Sequence, residues 1–194
     1  MDIKQTDRKD KIITFFSEVN SSSVENAIKD ITKINCADMD YTEQCLQWAR
    51  DNHMPETPVT LTPISFVLST YGGSCYDGLA LYDSLESSTT PVEITCTGKV
   101  MSMGIIIALA AKTRKAHRNT TFMIHQASGH MWGTLKDMEG SVEETRRINE
   151  RIFNIIREKT NISDEKIAEV MNYKRDWFIT AEEALSLGII TEII

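Results

Sequence analysis

Ser102 stands in the stretch Gly98-Lys99-Val100-Met101-Ser102-Met103-Gly104, between two apolar runs, where a strand could hand over to a helix. A serine hydroxyl is a weak nucleophile until a base takes its proton, and acyl transfer further needs donors aimed at the oxyanion that forms. His125, in Met123-Ile124-His125-Gln126, is a candidate base, and Asp176, in Lys174-Arg175-Asp176-Trp177-Phe178, is a candidate partner for its imidazole. The pair Gly72-Gly73 could leave a backbone amide open to a ligand. Each feature also has a plainer reading. A serine ahead of a helix is commonly an N-cap, paired glycines commonly make a tight turn, a lone histidine at a strand end is commonly structural, and Asp176 could simply pair with Arg175.

The elements that would carry these residues follow from hydrophobic spacing. Ile12 to Phe16 reads as a strand, and Val24, Ala27, Ile28, Ile31 and Ile34 fall on one helical face, with Ser22 or Ser23 placed to cap. Asn35 to Thr60 turns polar and reads as an irregular insertion with a possible helix over 41–51. Ile64 to Leu68 is a continuous apolar strand of the kind buried in parallel sheets. A helix with Tyr76, Leu79, Ala80, Tyr82 and Leu85 on one side should follow. Val92 to Thr97 alternates as a strand that Gly98 breaks, Met101 to Ala111 is apolar enough for a buried helix, and Phe122 to Gln126 is a further strand. This alternation predicts α/β architecture with parallel pairing and right-handed crossovers. A long helix is expected between Thr134 and Lys159, weakened early by Gly140, and a shorter one over Ile167 to Met171. Thr180 to Glu183 spells a capping box, and Gly188 is placed to end the helix it starts.

Bulk properties narrow the class. A chain of 194 residues with 41% hydrophobic and 25% charged residues suits one globular domain, which at this length hides roughly 70% of its unfolded surface. A net charge of -7 argues against nucleic acid as a partner, since phosphate affinity needs concentrated Lys and Arg. The cluster Lys112, Arg114, Lys115, His117 and Arg118 lacks an aromatic for base stacking and reads as a solvated loop. Cys36, Cys45, Cys75 and Cys96 have neither zinc-site spacing nor the density of a disulfide scaffold, which points to free thiols in a reducing compartment. The charged start, MDIKQTDRKDK, does not read as a signal or transit peptide, and no run approaches the ~20 apolar residues that span a bilayer. The expectation is a cytoplasmic protein with no membrane, metal or cofactor.

In order along the chain, Gly72-Gly73-Ser74, Gly98 to Gly104, Met123 to Gln126, Arg175-Asp176 before two aromatics, and Thr180 to Gly188 resemble the motif series of the Clp protease proteolytic subunit, ClpP. The resemblance covers about two thirds of the chain, from Thr60 to the end. It implies a ClpP/crotonase-like fold of repeated β-α units with a protruding handle helix. By the same resemblance Ser102 is the nucleophile, His125 the general base and Asp176 the carboxylate that fixes the histidine tautomer. The amides of Gly73 and Met103 take the oxyanion-hole positions, and Gly72, Gly129 and Met131 fall where relatives bind substrate. Ala127 to Thr134 is similar to the family's glycine-containing strand, which holds extended peptide by main-chain hydrogen bonds. His130, in that stretch, matches no motif. The resemblance implies a serine endopeptidase core, ATP-independent in itself, that cleaves peptides and unfolded proteins within heptameric rings, as a tetradecamer in relatives, served by a Clp ATPase unfoldase.

The first third departs from the family pattern. The 35–60 insertion is longer than the family's link, few residues precede the first strand, and Lys174 replaces an acidic residue that relatives use between rings. The histidine follows the serine by two residues fewer than in common relatives. These departures keep open a ring subunit that scaffolds active partners and cuts nothing itself. A crotonase-type acyl-CoA enzyme, whose fold shares the two-amide oxyanion hole, is a third reading.

Overall fold

The computed structural model describes residues 8–129, 132–173 and 176–194. Four residues singled out above, His130, Met131, Lys174 and Arg175, therefore lie outside the described residues. A 3-10 turn at Arg8–Lys11 leads into β1 (Ile12–Phe15), then α1 (Ser21–Asp51), β2 (Ile64–Thr70), α2 (Cys75–Glu86), β3 (Val92–Met101) and α3 (Met103–Ala108). There follow β4 (Thr113–Ala116), β5 (Thr121–Ile124), α4 (Leu135–Lys159), α5 (Asp164–Tyr173), β6 (Trp177–Ile179), α6 (Ala181–Ser186) and β7 (Glu192–Ile193). The expected α/β class is what forms.

All the described strands lie in one sheet, ordered β1-β2-β3-β4-β7, with β5 beside β3 and β6 beside β5. Every pairing is parallel except β5 with β6. The central strands are buried on alternate or successive residues because helices cover them: Ile64, Phe66, Leu68, Ile94 and Val100 have no exposed surface. Burying each such side chain is worth about 1.5–3 kcal/mol, so the middle of the sheet is the stablest platform the chain offers for a site.

Gly98 does not end its strand, as the sequence suggested, but bends it. At φ +64 it takes a conformation costly for other residues, and the β2–β3 register jumps from Leu68↔Cys96 to Thr70↔Val100. The first half of β3 thereby pairs with β4 and the second half with β5. One strand feeds two neighbours, and its second half, paired with β5, ends just before Ser102.

Several local expectations need correction. The N-cap of α1 is Asn20, whose side chain accepts from the Ser23 amide while Ser23 answers as the reciprocal partner of a capping box. The segment 35–60 is not irregular throughout, because α1 continues unbroken for 31 residues to Asp51. Its polar second half is anchored by charge rather than grease. Asp38, on the buried face, accepts from Lys11 Nζ at 2.7 Å and from Thr90 Oγ1 at 2.7 Å, and Lys11 also donates to the carbonyl of Thr62. The stretch 113–116 is no solvated loop but the strand β4, between β3 and β7. Arg114 folds back to donate to the carbonyls of Ala111, Gly188 and Ile189, and Lys115 pairs with Glu93 across the strands, so these cations are spent internally. The buried helix after Ser102 is shorter than expected, Met103–Ala108.

The long α4 forms with Thr134 and Asp137 as its capping box, Gly140 included. Its buried residues, Ile152, Phe153 and Ile156, all sit in the C-terminal part, while Leu135, Met138 and Val142 are exposed. The first half therefore projects from the core as a handle. Thr180 and Glu183 make the expected capping box on α6, and Gly188 follows it at φ +73.

Candidate active site

Two strand registers bring the site together. In the parallel pair β3–β5, Met101 stands opposite Met123, and the amide of Ser102 donates to the carbonyl of Met123 at 2.7 Å. The next residues along, Ser102 and the Ile124–His125 strand end, are thus neighbours. In the antiparallel pair β5–β6, Ile124 stands opposite Trp177, so one step further on β5 and one step back on β6 set His125 beside Asp176. Strand β6 was not foreseen, and it delivers the most distant member of the group.

The side chains meet as the registers require. His125 Nε2 lies 2.8 Å from Ser102 Oγ, and His125 Nδ1 lies 3.4 Å from Asp176 Oδ1. The second contact exceeds the ~2.7–2.9 Å of a formed charge-assisted hydrogen bond. Catalytic hydrogen bonds are often long in unliganded proteins and tighten with substrate. With Nδ1–H directed at Asp176, Nε2 is left to accept the Ser102 proton. The Asp176 side chain is 54% exposed, His125 29%.

The N-cap reading of Ser102 does not survive the geometry. The residue occupies the cap position of α3, yet its hydroxyl makes no capping hydrogen bond and turns to His125 instead. Its backbone sits at φ 53, ψ -123, one of two non-glycine residues with positive φ among the described residues. Such conformations cost on the order of 1–3 kcal/mol and persist where surrounding structure enforces them.

The glycine pair after β2 is also more than a turn. Gly72 has φ +95, and a Cβ there would come within 2.7 Å of Ser102 Cβ and 3.0 Å of the Met103 nitrogen. Gly73 has φ +147 and packs on Val19, whose carbonyl oxygen would lie 2.2 Å from an added Cβ. The bridge between Val19 and this loop uses Val19 N to Gly72 O and Ser74 N to Val19 O, which leaves the Gly73 amide out of the ladder. Met103 opens α3, so its amide is one that a helix cannot satisfy internally. One amide in need of an acceptor thus follows the serine directly, and a second, that of Gly73, belongs to the loop that lines the same cleft.

These groups border an open cleft of about 460 Å³ at the C-terminal ends of β1, β2 and β3, the end where ligands bind in α/β sheets. Gly72, Gly73, Ser102 and His125 line it. A smaller recess of about 20 Å³ opens behind Ser102 and His125 between Met103, Ile124, Ile152 and Ile156. Gly129 is exposed, with open space where a Cβ would sit. The stretch after His125 is not a strand over its described residues, 126–129 and 132–134. The pairing edge of β5 is taken by β6, and the Ala127 amide is held instead by Asn149 Oδ1 of α4 at 2.9 Å.

Thiols and cations complete the surroundings. Cys75 lines both cavities, and burial pushes its thiol up. Cys96, buried within β3, is pushed up to about 12 by burial. All four cysteines are unpaired. Among the described residues no three His, Cys, Asp or Glu side chains converge as a metal site would require, and no described helix is long and apolar enough to cross a membrane. Sequence reasoning missed Lys99, Tyr71 and Asn149 near the site. Lys99 was legible in principle, since it falls inside the Gly98–Gly104 motif.

A mostly parallel β-α sheet with a projecting helix, and a hydroxyl, imidazole and carboxylate in succession at the ends of its strands, define an α/β protein with a serine–histidine–aspartate group. The chain superposes on a mutant of ClpP1 from Listeria monocytogenes with a TM-score of 0.76, covering 96% of this chain and 92% of that one at 26% identity. The Clp protease family model matches residues 54–194. The ATP-dependent Clp protease proteolytic subunit of Deinococcus radiodurans is 34% identical over 133 residues, 68% of this chain and 64% of that protein's length. This chain belongs to the Clp protease family.

Proposed function

We propose that the chain is a serine endopeptidase subunit with Ser102 as nucleophile. The observation that carries this reading is the 2.8 Å approach of Ser102 Oγ to His125 Nε2 with a carboxylate on the opposite ring nitrogen. His125 takes the hydroxyl proton as Oγ bonds to the peptide carbonyl carbon. The amides of Gly73 and Met103 receive the oxyanion, and Asp176 stabilises the imidazolium. As the C–N bond breaks, His125 passes its proton to the leaving amine. Water then attacks the acyl-serine through the same base and restores the enzyme.

Short peptides are the expected substrates of the isolated chain, without ATP, because the chemistry above draws on none. Peptide would enter along Gly72 on one side and the 126–129 stretch on the other, with Gly129 in the binding path; Met131 is proposed as a substrate contact on the strength of the family motif alone. Assembly into heptameric rings, stacked through the projecting half of α4, and service by a Clp ATPase are proposed on the strength of the family. The Deinococcus relative's description as ATP-dependent supports the latter. The free thiols suit a cytoplasmic setting.

A fluorophosphonate probe tests the reading. It should label the wild type at Ser102 and not Ser102→Ala, and equal labelling of both rejects it. The second reading, a scaffold subunit that does not cut, is favoured by one observation, the 3.4 Å contact of an exposed Asp176. Assembly without hydrolysis of any short peptide would establish it.

A further inference from the structure

Lys99 lies on the same strand as the end that presents Ser102, and it lines the same cleft. Its half-buried side chain crosses to the loop after β2, where the ammonium rests 4.3 Å from the centre of the Tyr71 ring. Tyr71 itself is 70% exposed, so the pair forms a cationic wall rather than a buried brace. A cation held on a ring face keeps a fixed position and retains its charge for a second partner. Among the described residues no carboxylate pairs with Lys99, and its register partner on β5 is the neutral Thr121. The acidic residue on the cleft, Glu18, comes from the segment after β1. Strand β2 lies between β1 and β3, so the strands that lead to the two residues run on the order of 10 Å apart, and no ion pair joins the two side chains. Ser102 stands three positions after Lys99, which puts their backbones again on the order of 10 Å apart, or two to three residues of an extended peptide.

We infer that Lys99 is a specificity-determining residue that favours peptides with a carboxylate two or three residues from the cleaved bond. The inference rests on the peptidase reading above and adds the substrate class to it.

The test is a set of peptides alike except for Glu, Gln or Lys at each of three positions on either side of the cleaved bond. At one of the positions two or three residues away, the wild type should prefer Glu over Gln by about five-fold in kcat/KM at low salt, the upper end for a partly exposed charge pair. The preference should vanish in 1 M salt, where the screening length is about 3 Å. Lys99→Arg should keep it, and Lys99→Glu should turn it toward Lys. A Glu to Gln ratio unchanged between the wild type and Lys99→Glu overturns the inference while leaving the peptidase reading intact. The same ratio read as binding of fluorescent peptides to Ser102→Ala, with and without Lys99→Glu, needs no turnover. Lys99-dependent binding by a wild type that cleaves nothing would therefore sink the peptidase reading alone.

Discussion

The strained serine offers a test in which the usual ranking of two small residues should reverse. At most positions alanine is more stabilising than glycine by about 0.5–1 kcal/mol, because glycine leaves more freedom to the unfolded chain. At position 102 the backbone has φ 53 and ψ -123, a region that costs a residue with a Cβ on the order of 1–3 kcal/mol. Ser102→Ala and Ser102→Gly both lose the hydrogen bond to His125, so that loss cancels between them. Only the Cβ distinguishes the pair, and Ser102 Cβ also faces Gly72 closely. Subtracting a mid-range handicap of about 0.75 kcal/mol from a mid-range strain of about 2 kcal/mol leaves the glycine variant more stable than the alanine variant by about 1 kcal/mol. For a domain near this size 1 kcal/mol moves the midpoint by about 2–4 °C, so thermal unfolding of the two variants side by side will resolve it. An alanine variant equal to or more stable than the glycine variant would mean that no strain is held there.

Asp176→Asn keeps the shape but no longer favours the productive histidine tautomer, and should lower kcat by up to about four orders of magnitude with peptide binding retained; steady-state kinetics decide it. Lys11→Met should lower stability by about 3–5 kcal/mol in denaturant unfolding, because it removes the ammonium 2.7 Å from the buried Asp38 carboxylate, whereas pairing it with Asp38→Leu should recover most of the loss. Glu86 is held below its ordinary value of 4.5, chiefly by its hydrogen bond from Lys159, and Lys159 is held above 10.5 by the same contact. The stabilisation is therefore present between those two values, lost as acid protonates Glu86 below 4.5 and as base strips Lys159 above 10.5. Both groups are about a third or more exposed, so Glu86→Gln should cost only about 0.5 kcal/mol at neutral pH, and the gap to wild type should close in acid. In a thiol titration of the folded protein, exposed Cys36 should react while Cys96, with its thiol pushed up to about 12, stays silent until the chain unfolds.

Much of the architecture was written in local pattern. The apolar run Ile64 to Leu68 could be little other than a central strand, and Thr180 with Glu183 is a start signal that needs no tertiary partner. The order of the motifs carried the candidate residues, because residue types at fixed separations persist whatever lies between them. Reading failed where local sequence and local environment disagree. The second half of α1 looks like solvent-exposed chain because its buried anchor is a carboxylate, and it takes groups as distant as Lys11, 27 residues away, and Thr90, 52 residues away, to make Asp38 tolerable inside. The basic stretch 113–116 looks like a loop because its hydrophobic content is low, yet it is a strand with Arg114 satisfied by carbonyls 74 and 75 residues downstream and Lys115 by the Glu93 carboxylate.

The sequence by itself determined which side chains were available for chemistry and which elements would deliver them, since periodicity, caps and turn residues act over a few positions. Tertiary structure alone decided that Gly98 would bend its strand toward β5, that β6 would pair antiparallel and set Asp176 beside His125, and that Lys99 would face the cleft. Those outcomes depend on strand registers, and a register is settled by which distant faces can be buried together, a choice that no single stretch of chain contains.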